Sequence, residues 1–348
     1  MRVPVVQAPM AGGGSRPELA AAVSNAGGFG FLAAGYKTAH QMLSEIAGTR
    51  RLTSEPFGMN VFVPRPSVAD PDVVAAYLSG LEPDARQLGV DIGDAVWEDD
   101  HWAAKLDALQ GDPVSVVSFT FGCPTAEEIT ALQRVGSLVV VTVTTPEEAA
   151  VAAAAGADGL ALQGIEAGGH RGSFADPTGT EGDYGLLALI GAVRTSVDLP
   201  LIAAGGIMDG RAVAAVVAAG AVAAASGTAF LRCPESGASP THKAALADPR
   251  FTGTGITRAF SGRRARGLVN RFMIEHAEAP VAYPEINNAT KALRRAAAES
   301  GHADALNLWA GQGFRLAREV PAGQVVRELT TELRSVLEGL GEMASTLT

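Results

Sequence analysis

The sequence predicts an α/β chain folded as a closed (β/α)8 barrel, with an insertion after the third strand and a cap region behind the eighth. Three observations carry this. Short apolar runs alternate with alanine-rich stretches of helical character, and eight such runs occur before residue 230. The runs are apolar at successive positions, as strands buried on both faces are, and not at every second one. The length of 348 residues exceeds the roughly 250 of a barrel by enough for additions.

The strands are expected at Val3–Val6, Gly28–Leu32, Phe57–Phe62, Val114–Phe119, Leu138–Thr142, Gly159–Gln163, Pro200–Ala204 and Val222–Ser226. Between them, helices are expected at Pro17–Asn25, Ala39–Ala47, Ala126–Arg134, Pro146–Ala155, Leu186–Thr195 and Gly210–Ala219. A doubly wound open sheet is the rival architecture. It is disfavoured because Ala11-Gly-Gly-Gly-Ser15, after the first strand, lacks the glycine spacing of a dinucleotide fingerprint.

Two regions break the rhythm. Val63 to Asp112 is rich in proline, aspartate and tryptophan and reads as an insertion on the face that carries active-site loops. Residues 233–320 have few strand-like runs and read as a cap over the barrel mouth. The expected barrel domain is therefore 1–232. Residues 321–348 carry Val325, Val326, Leu329, Leu333, Val336, Leu337 and Leu340 at helical spacing, which predicts a helix packed back on the barrel.

Composition narrows the function. The net charge of −10 disfavours nucleic acid as a partner, because a generally acidic surface repels phosphate backbones. No run reaches the roughly 20 apolar residues of a membrane span. Cys123 and Cys233 stand far apart with no metal-ligand spacing, so no metal is expected and the thiols read as reduced, in a cytoplasmic setting.

In a barrel the chemistry sits at the C-terminal ends of the strands. Here those ends read Gln7-Ala-Pro9-Met10, Gly58-Met-Asn60, Gln163-Gly-Ile-Glu166-Ala-Gly168-Gly-His170, Ala204-Gly205-Gly206 and Ala225-Ser226-Gly227-Thr228. The last two follow the seventh and eighth strands, where barrels commonly bind phosphate: glycines let the backbone approach an anion and present N–H groups to it. Asn60 and Gln163 are amides suited to the mixed donor and acceptor edge of a heteroaromatic ring, and Met10 to its flat face. His170 stands among glycines beside the phosphate loops, and an imidazole can accept a proton near neutral pH. Glu166 reads as a loop or helix-cap brace. The basic run Arg258 to Arg271 serves either inter-domain ion pairs or attraction of an anion toward the mouth.

These segments resemble the nitronate monooxygenase family over nearly the whole chain. Glu166-Ala-Gly-Gly-His-Arg-Gly172 is similar to its catalytic-histidine loop. Gln7-Ala-Pro-Met10, Phe57-Gly-Met-Asn60, Ala203-Ala-Gly-Gly-Ile207 and Gly227-Thr-Ala-Phe230 are similar to its flavin-site segments. Ser261-Gly-Arg263 to Arg271, Tyr283-Pro-Glu-Ile-Asn-Asn288 and Leu308-Trp-Ala-Gly-Gln-Gly313 are similar to its cap and C-terminal segments. The resemblance implies FMN as cofactor, contacts to it at Asn60, Gln163, Gly168, Gly206 and Ala225 to Thr228, and His170 as catalytic base. It implies oxidation of nitronates by O2 to a carbonyl compound and nitrite, with nitroalkanes as further candidate substrates. Two departures stand out: Ala225 is smaller than the residue many members place there, and Asn287 to Lys291 lacks the paired histidine of some members. The rivals are an FMN- and NADH-dependent enoyl-acyl-carrier-protein reductase, similar in the His170 loop, and a flavin-binding barrel without turnover. Trp97 to Trp102 and Trp309-Ala-Gly-Gln312 favour the monooxygenase.

Overall fold

The computed structural model describes residues 1–177, 179–180 and 182–346, so the last two residues of the expected C-terminal helix lie outside the described residues. Its strands are β1 (Val5–Gln7), β2 (Phe31–Ala33), β3 (Gly58–Phe62), β4 (Val116–Thr120), β5 (Leu138–Val143), β6 (Gly159–Gln163), the two-residue β7 (Gly169–His170), β8 (Leu201–Ala204), β9 (Ala223–Ser226), β10 (Thr254–Thr257) and β11 (Ala265–Leu268). Eight of them form one parallel sheet in the order β1-β9-β8-β6-β5-β4-β3-β2. A parallel bridge between Val6 and Phe29 joins the two ends, which closes the barrel. Gln7 reinforces the closure: its Oε1 accepts the Phe31 N–H at 3.0 Å. Val6, Phe29, Phe31, Ala223 and Ala225 fill the interior.

The barrel helices begin where the sequence supplies caps. They are α1 (Pro17–Asn25), α2 (Ala39–Leu52), then α3 (Pro71–Gly80) and α4 (Glu82–Gln87) of the insertion, α5 (Trp102–Gly111), α6 (Ala126–Arg134), α7 (Pro146–Ala154), α8 (Leu186–Arg194) and α9 (Gly210–Ala218). Thr38 with Gln41 and Thr125 with Glu128 form reciprocal capping boxes on α2 and α6. Asp209 caps α9 through the Ala212 N–H at 2.8 Å.

The stretch expected as a single insertion divides in two. Its last helix, α5, packs between α2 and α6 and is the third helix of the barrel. The segment before it belongs elsewhere: Leu81 and Ala85 join a core shared with Phe251, Phe260 and Phe272 of the cap. The cap contains α10 (Thr228–Leu231) at its entry, then α11 (Pro240–Ala245), α12 (Arg271–Glu275), α13 (Glu285–Ala289) and α14 (Lys291–Glu299). It also contains a small antiparallel sheet, β10-β11-β7, that the apolar pattern did not announce. The last helix, α15 (Ala322–Thr346), lies against α9 and α1, in the place of the eighth barrel helix. Gly210 permits this contact, because a Cβ there would stand 2.4 Å from Glu332. Glu332 in turn accepts the Gly210 N–H at 2.7 Å. Among the described residues no helix is long and apolar enough to cross a membrane.

Candidate active site

The loop after β6 carries His170 out of the barrel and into the cap sheet. Residues Gly169 and His170 form β7 and pair antiparallel with β11, His170 opposite Ala265. The neighbouring glycines therefore serve close packing and not looseness. A Cβ on Gly168 would stand 2.5 Å from the backbone of Ala310 and Gly311, and one on Gly172 would stand 2.9 Å from Thr142. Gly169 has φ +77°, in the left-handed region that glycine occupies without strain.

The Gln163 side chain holds this loop at both ends. Its Nε2 donates to the His170 carbonyl at 3.0 Å and its Oε1 accepts the Gly172 N–H at 2.8 Å. Glu166 is the brace the sequence suggests: its carboxylate accepts the Leu186 N–H at the start of α8.

His170 is half-buried and ringed by aromatic side chains. Phe121, Tyr283 and Trp309 have ring centroids 5.9, 5.5 and 5.5 Å from the imidazole. Its Nε2 lies 2.8 Å from the Oγ of Ser261, which is fully buried. Ser261 can also donate to the Arg263 carbonyl at 3.2 Å. In that arrangement Nε2 carries the proton and Nδ1 is the nitrogen left to accept one. Burial first, then the charges of Arg263 and Arg294, push the imidazole pKa down to about 3. The ring is neutral across the ordinary pH range.

Phe121 and Tyr283, which flank the imidazole, also border a cavity of about 50 Å³, together with Tyr36, Phe62, Asp100 and Arg263. The Tyr36 and Tyr283 hydroxyls meet at 3.1 Å. Tyr36 and Phe121 both have positive φ, 68° and 78°. For bulky residues this is a strained backbone, held in place by the surrounding packing, and such strain clusters at functional sites.

The remaining residues expected to bind a cofactor gather at the same end of the barrel, in two chemical groups. Side chains in the first group are engaged by the protein itself. Gln7 Nε2 donates to Ser15 Oγ at 3.0 Å, in addition to the Oε1 bond to Phe31. Ser226 Oγ donates to the Ile207 carbonyl, and Thr228 Oγ1 accepts the Gly311 N–H of the cap. The Asn60 Nδ2 reaches Ser118 and Thr120, but its Oδ1 takes no donor among the described residues. Residues of the second group offer backbone. The N–H groups of Gly205, Gly206 and Gly227 find no acceptor among the described residues. Gly205 and Gly206 have φ of +136° and +67°. Gly227 faces Met10, whose Sδ would lie 3.7 Å from a Cβ added there. Pro9 precedes Met10 on the loop after β1, and Ala225 pairs with Val6 in the barrel wall.

The arginine run resolves into separate duties. Arg258 pairs with Asp176, Arg264 with Asp183 and Arg271 with Asp84. Arg266 donates to the Ile165 carbonyl at 2.9 Å. Arg263 and Arg266 are both buried with no carboxylate in ion-pair range among the described residues, and of the two Arg263 borders the cavity. Asp84, Glu275 and His276 lie close enough to share a metal ion, yet Asp84 is already held by Arg271 and by His276 at 2.9 Å. Neither free cysteine is part of the site; burial pushes the Cys123 thiol up to about 11.

Comparison with known proteins decides the family. A family model described as nitronate monooxygenase matches residues 1–332. The chain belongs to the nitronate monooxygenase family. It is 45% identical to the nitronate monooxygenase of Pseudomonas aeruginosa, covering 95% of this chain and 96% of that one. It is 39% identical to the probable nitronate monooxygenase of Bacillus subtilis, covering 94% and 95%. Among solved structures, nitroalkane oxidase from Streptomyces ansochromogenes superposes with a TM-score of 0.95 at 53% identity, covering 97% of each chain. FabK from Thermotoga maritima superposes with 0.75 at 28% identity, covering 99% and 96%. The protein is thus an enzyme and an oxidoreductase. Within this nitronate monooxygenase fold, Ser261, Arg263, Tyr283 and Trp309 come from cap segments that the sequence marked only as family-like. Tyr36 and Phe121 come from strand ends that carry no polar signal.

Proposed function

We propose that the enzyme oxidises alkyl nitronates with FMN and O2, giving a carbonyl compound and nitrite, and that His170 is the proton acceptor facing the substrate. One observation carries the reading. A desolvated, neutral imidazole is anchored by a buried serine at the mouth of the barrel, beside two glycine loops with unpaired N–H groups.

The residues present suit FMN. Gly205, Gly206 and Gly227 would hold the phosphate through their N–H groups, since anions favour such exposed backbone donors. A Cβ on Gly206 would stand 3.2 Å from the Glu166 side chain, so any other residue there would crowd the loop after β6. The Asn60 Oδ1 and the loop at Gly168 would border the ring system. FMN, when bound, supplies a one-electron acceptor for the substrate.

The protein's own contribution is placement and charge. Phe121, Tyr283 and Trp309 exclude water around His170 and limit the substrate to a few heavy atoms, in keeping with the small cavity. Nδ1 of His170 accepts the proton of a substrate that arrives neutral. An imidazole whose pKa is about 3 is a weak acceptor, so the nitronate, already deprotonated, is the better substrate.

The test is an anaerobic absorbance titration of the purified protein with a nitronate, followed by admission of O2 and assay of nitrite. A flavin spectrum that bleaches or shifts with the nitronate, and nitrite formation on oxygenation, is expected. His170→Ala is expected to retain flavin and lose activity on neutral nitroalkane by about 100-fold or more, with a smaller loss on the preformed anion. Equal losses on both substrates would make His170 a binding residue and remove the base. The enoyl-thioester reductase reading rests on the FabK likeness and predicts NADH consumption with an enoyl thioester. The small aromatic-walled cavity favours the nitronate.

A further inference from the structure

Arg263 is a buried cation with no carboxylate in ion-pair range among the described residues, and Asp176 and Glu148 act on it only from farther away. Its Nε donates to the Arg171 carbonyl at 3.1 Å and its Nη2 to the Ser173 carbonyl, while Nη1 has no acceptor among the described residues. The guanidinium lies over the Phe121 ring, 4.2 Å from its centroid, and borders the cavity. Arg294 resembles it. Its Nε donates to Thr290 Oγ1 at 3.1 Å and its Nη2 to the Asn287 carbonyl at 2.7 Å, again with no carboxylate among the described ion pairs. Its charge bears on His170 and on both hydroxyls of the Tyr36–Tyr283 pair.

Buried charges are ordinarily paired, because removing one from water is costly. The carboxylates that act on Arg263 are already engaged: Asp176 pairs with Arg258, and Glu148 accepts from Thr144 and from the Phe174 N–H. Asp100 is paired with the fully buried Lys105 at 2.6 Å and accepts the Tyr36 N–H at 2.9 Å. Glu98 faces Lys291 at 3.6 Å, and Asp99 accepts the His101 N–H at 3.0 Å. Arg65, which also lines the cavity, adds further positive charge. Asp99 and Arg65 are exposed to solvent, so the buried charge on the cavity wall that lacks an ion-pair partner among the described residues is that of Arg263, and it borders the space where the substrate reading above puts the reacting molecule.

We infer that Arg263 is the anchor of an anionic substrate, with Arg294 reinforcing it from behind the tyrosine pair, and that these two arginines make the site select a nitronate over its neutral nitroalkane. The inference rests on the nitronate reading and adds a specificity determinant to it. A planar monoanion can take the free Nη1 donor of Arg263 and the tyrosine hydroxyls together, which a neutral molecule of the same shape does with less gain. Phe121 holds the guanidinium flat against the cavity wall, so the donor geometry is set before the anion arrives.

The test uses nitrate, a planar monoanion that the enzyme cannot oxidise, on the intact holoenzyme. Nitrate is expected to inhibit competitively against the nitronate and to raise the melting temperature of the wild-type protein. Arg263→Gln is expected to weaken nitrate binding by about 10- to 100-fold, the loss of a charge-assisted hydrogen bond. It should lower the preference for nitronate over nitroalkane in kcat/KM by a similar factor, with flavin content unchanged. Arg294→Gln is expected to do the same to a smaller extent, and Arg263→Lys, which keeps the charge but loses the planar fork, to weaken nitrate binding by less than Arg263→Gln but measurably. Should Arg263→Gln fail to fold, because its backbone acceptors lose their donor, Arg294→Gln and Arg263→Lys decide. Unchanged nitrate affinity in the folded variants overturns the anchor. A wild-type enzyme that binds nitrate through these arginines but oxidises no nitronate overturns the functional reading and leaves the anion site standing.

Discussion

The barrel and the cap face each other across one space with opposite chemistry. On the barrel side the polar side chains are engaged internally: Gln7 closes the sheet, Gln163 braces the His170 loop and Ser226 ties β9 to Ile207. What that side leaves available is mainly backbone, at Gly205, Gly206 and Gly227. The cap side presents charge and aromatic surface through Ser261, Arg263, Tyr283 and Trp309. The contrast teaches how such an enzyme can vary. A cofactor held by backbone N–H groups tolerates side-chain change around it, whereas a substrate held by cap side chains is re-specified by single substitutions there. His170 belongs to both sides, since its loop leaves a barrel strand and ends as an edge strand of the cap sheet.

The largest break in that contrast is expected from Gly206→Val. A branched residue at φ +67° is strained whatever the space, and its Cβ would crowd Glu166 next to the N–H groups proposed to hold the phosphate. Flavin measured after gel filtration should be absent, with the far-UV circular dichroism retained. Full flavin occupancy would move the phosphate to another loop. Gly168→Ala is expected to be milder and to act on the seam. Its Cβ would press on the Ala310 and Gly311 backbone, which Thr228 holds through the Gly311 N–H at 3.0 Å. Overpacking of this kind costs about 1–3 kcal/mol. We expect a lower denaturation midpoint and a raised KM for nitronate, with flavin still bound. A KM that does not move would mean that the cap can shift without disturbing the substrate site.

The sequence made the barrel legible because parallel strands buried on both faces are written as unbroken apolar runs, and α2, α6 and α9 begin at caps that can be read directly. Each barrel strand lies within a few residues of its expected place, and β2 at Phe31–Ala33 overlaps the end of its expected run. The cap was less legible for a physical reason. Its strands β10 and β11 read Thr-Gly-Ile-Thr and Ala-Arg-Gly-Leu, short and interrupted by glycine and charge, and their pairing is fixed by contacts distant in sequence. The site divided in the same way. His170 and the glycine loops stand in local motifs. Arg263 is one of several arginines in a run, and nothing local separates it from Arg258, Arg264 or Arg271, which have carboxylate partners. Only the fold shows that Arg263, like Arg266, has no carboxylate in ion-pair range among the described residues, and that Arg263 borders the cavity. Tyr36 and Phe121 lack any local signal, because what sets them apart is a left-handed backbone.

The smallest expected effect concerns acid, and it sharpens the contrast at the seam. His242 of α11 is 9% exposed, and its Nε2 lies 3.0 Å from the carbonyl of Trp309, the residue whose ring flanks His170. Burial lowers its pKa to about 4, against the smaller opposing effect of that hydrogen bond. The unfolded chain holds this histidine near 6.5, so between about pH 6.5 and pH 4 the unfolded state binds a proton that the native state refuses. Stability is therefore unaffected by His242 above that window and falls as pH drops through it, by at most about 1.4 kcal/mol per pH unit. His170 adds a loss of the same sign, continuing to lower pH because its pKa is about 3. In His242→Gln the amide can still donate to the Trp309 carbonyl and does not titrate. Urea unfolding at pH 7 and pH 5 should then show a smaller loss on acidification in the variant than in the wild type, by no more than one proton's worth. Identical losses would show that acid acts on this protein through its carboxylates and His170 alone. In that case the Trp309 contact would play no part in how the cap responds to pH.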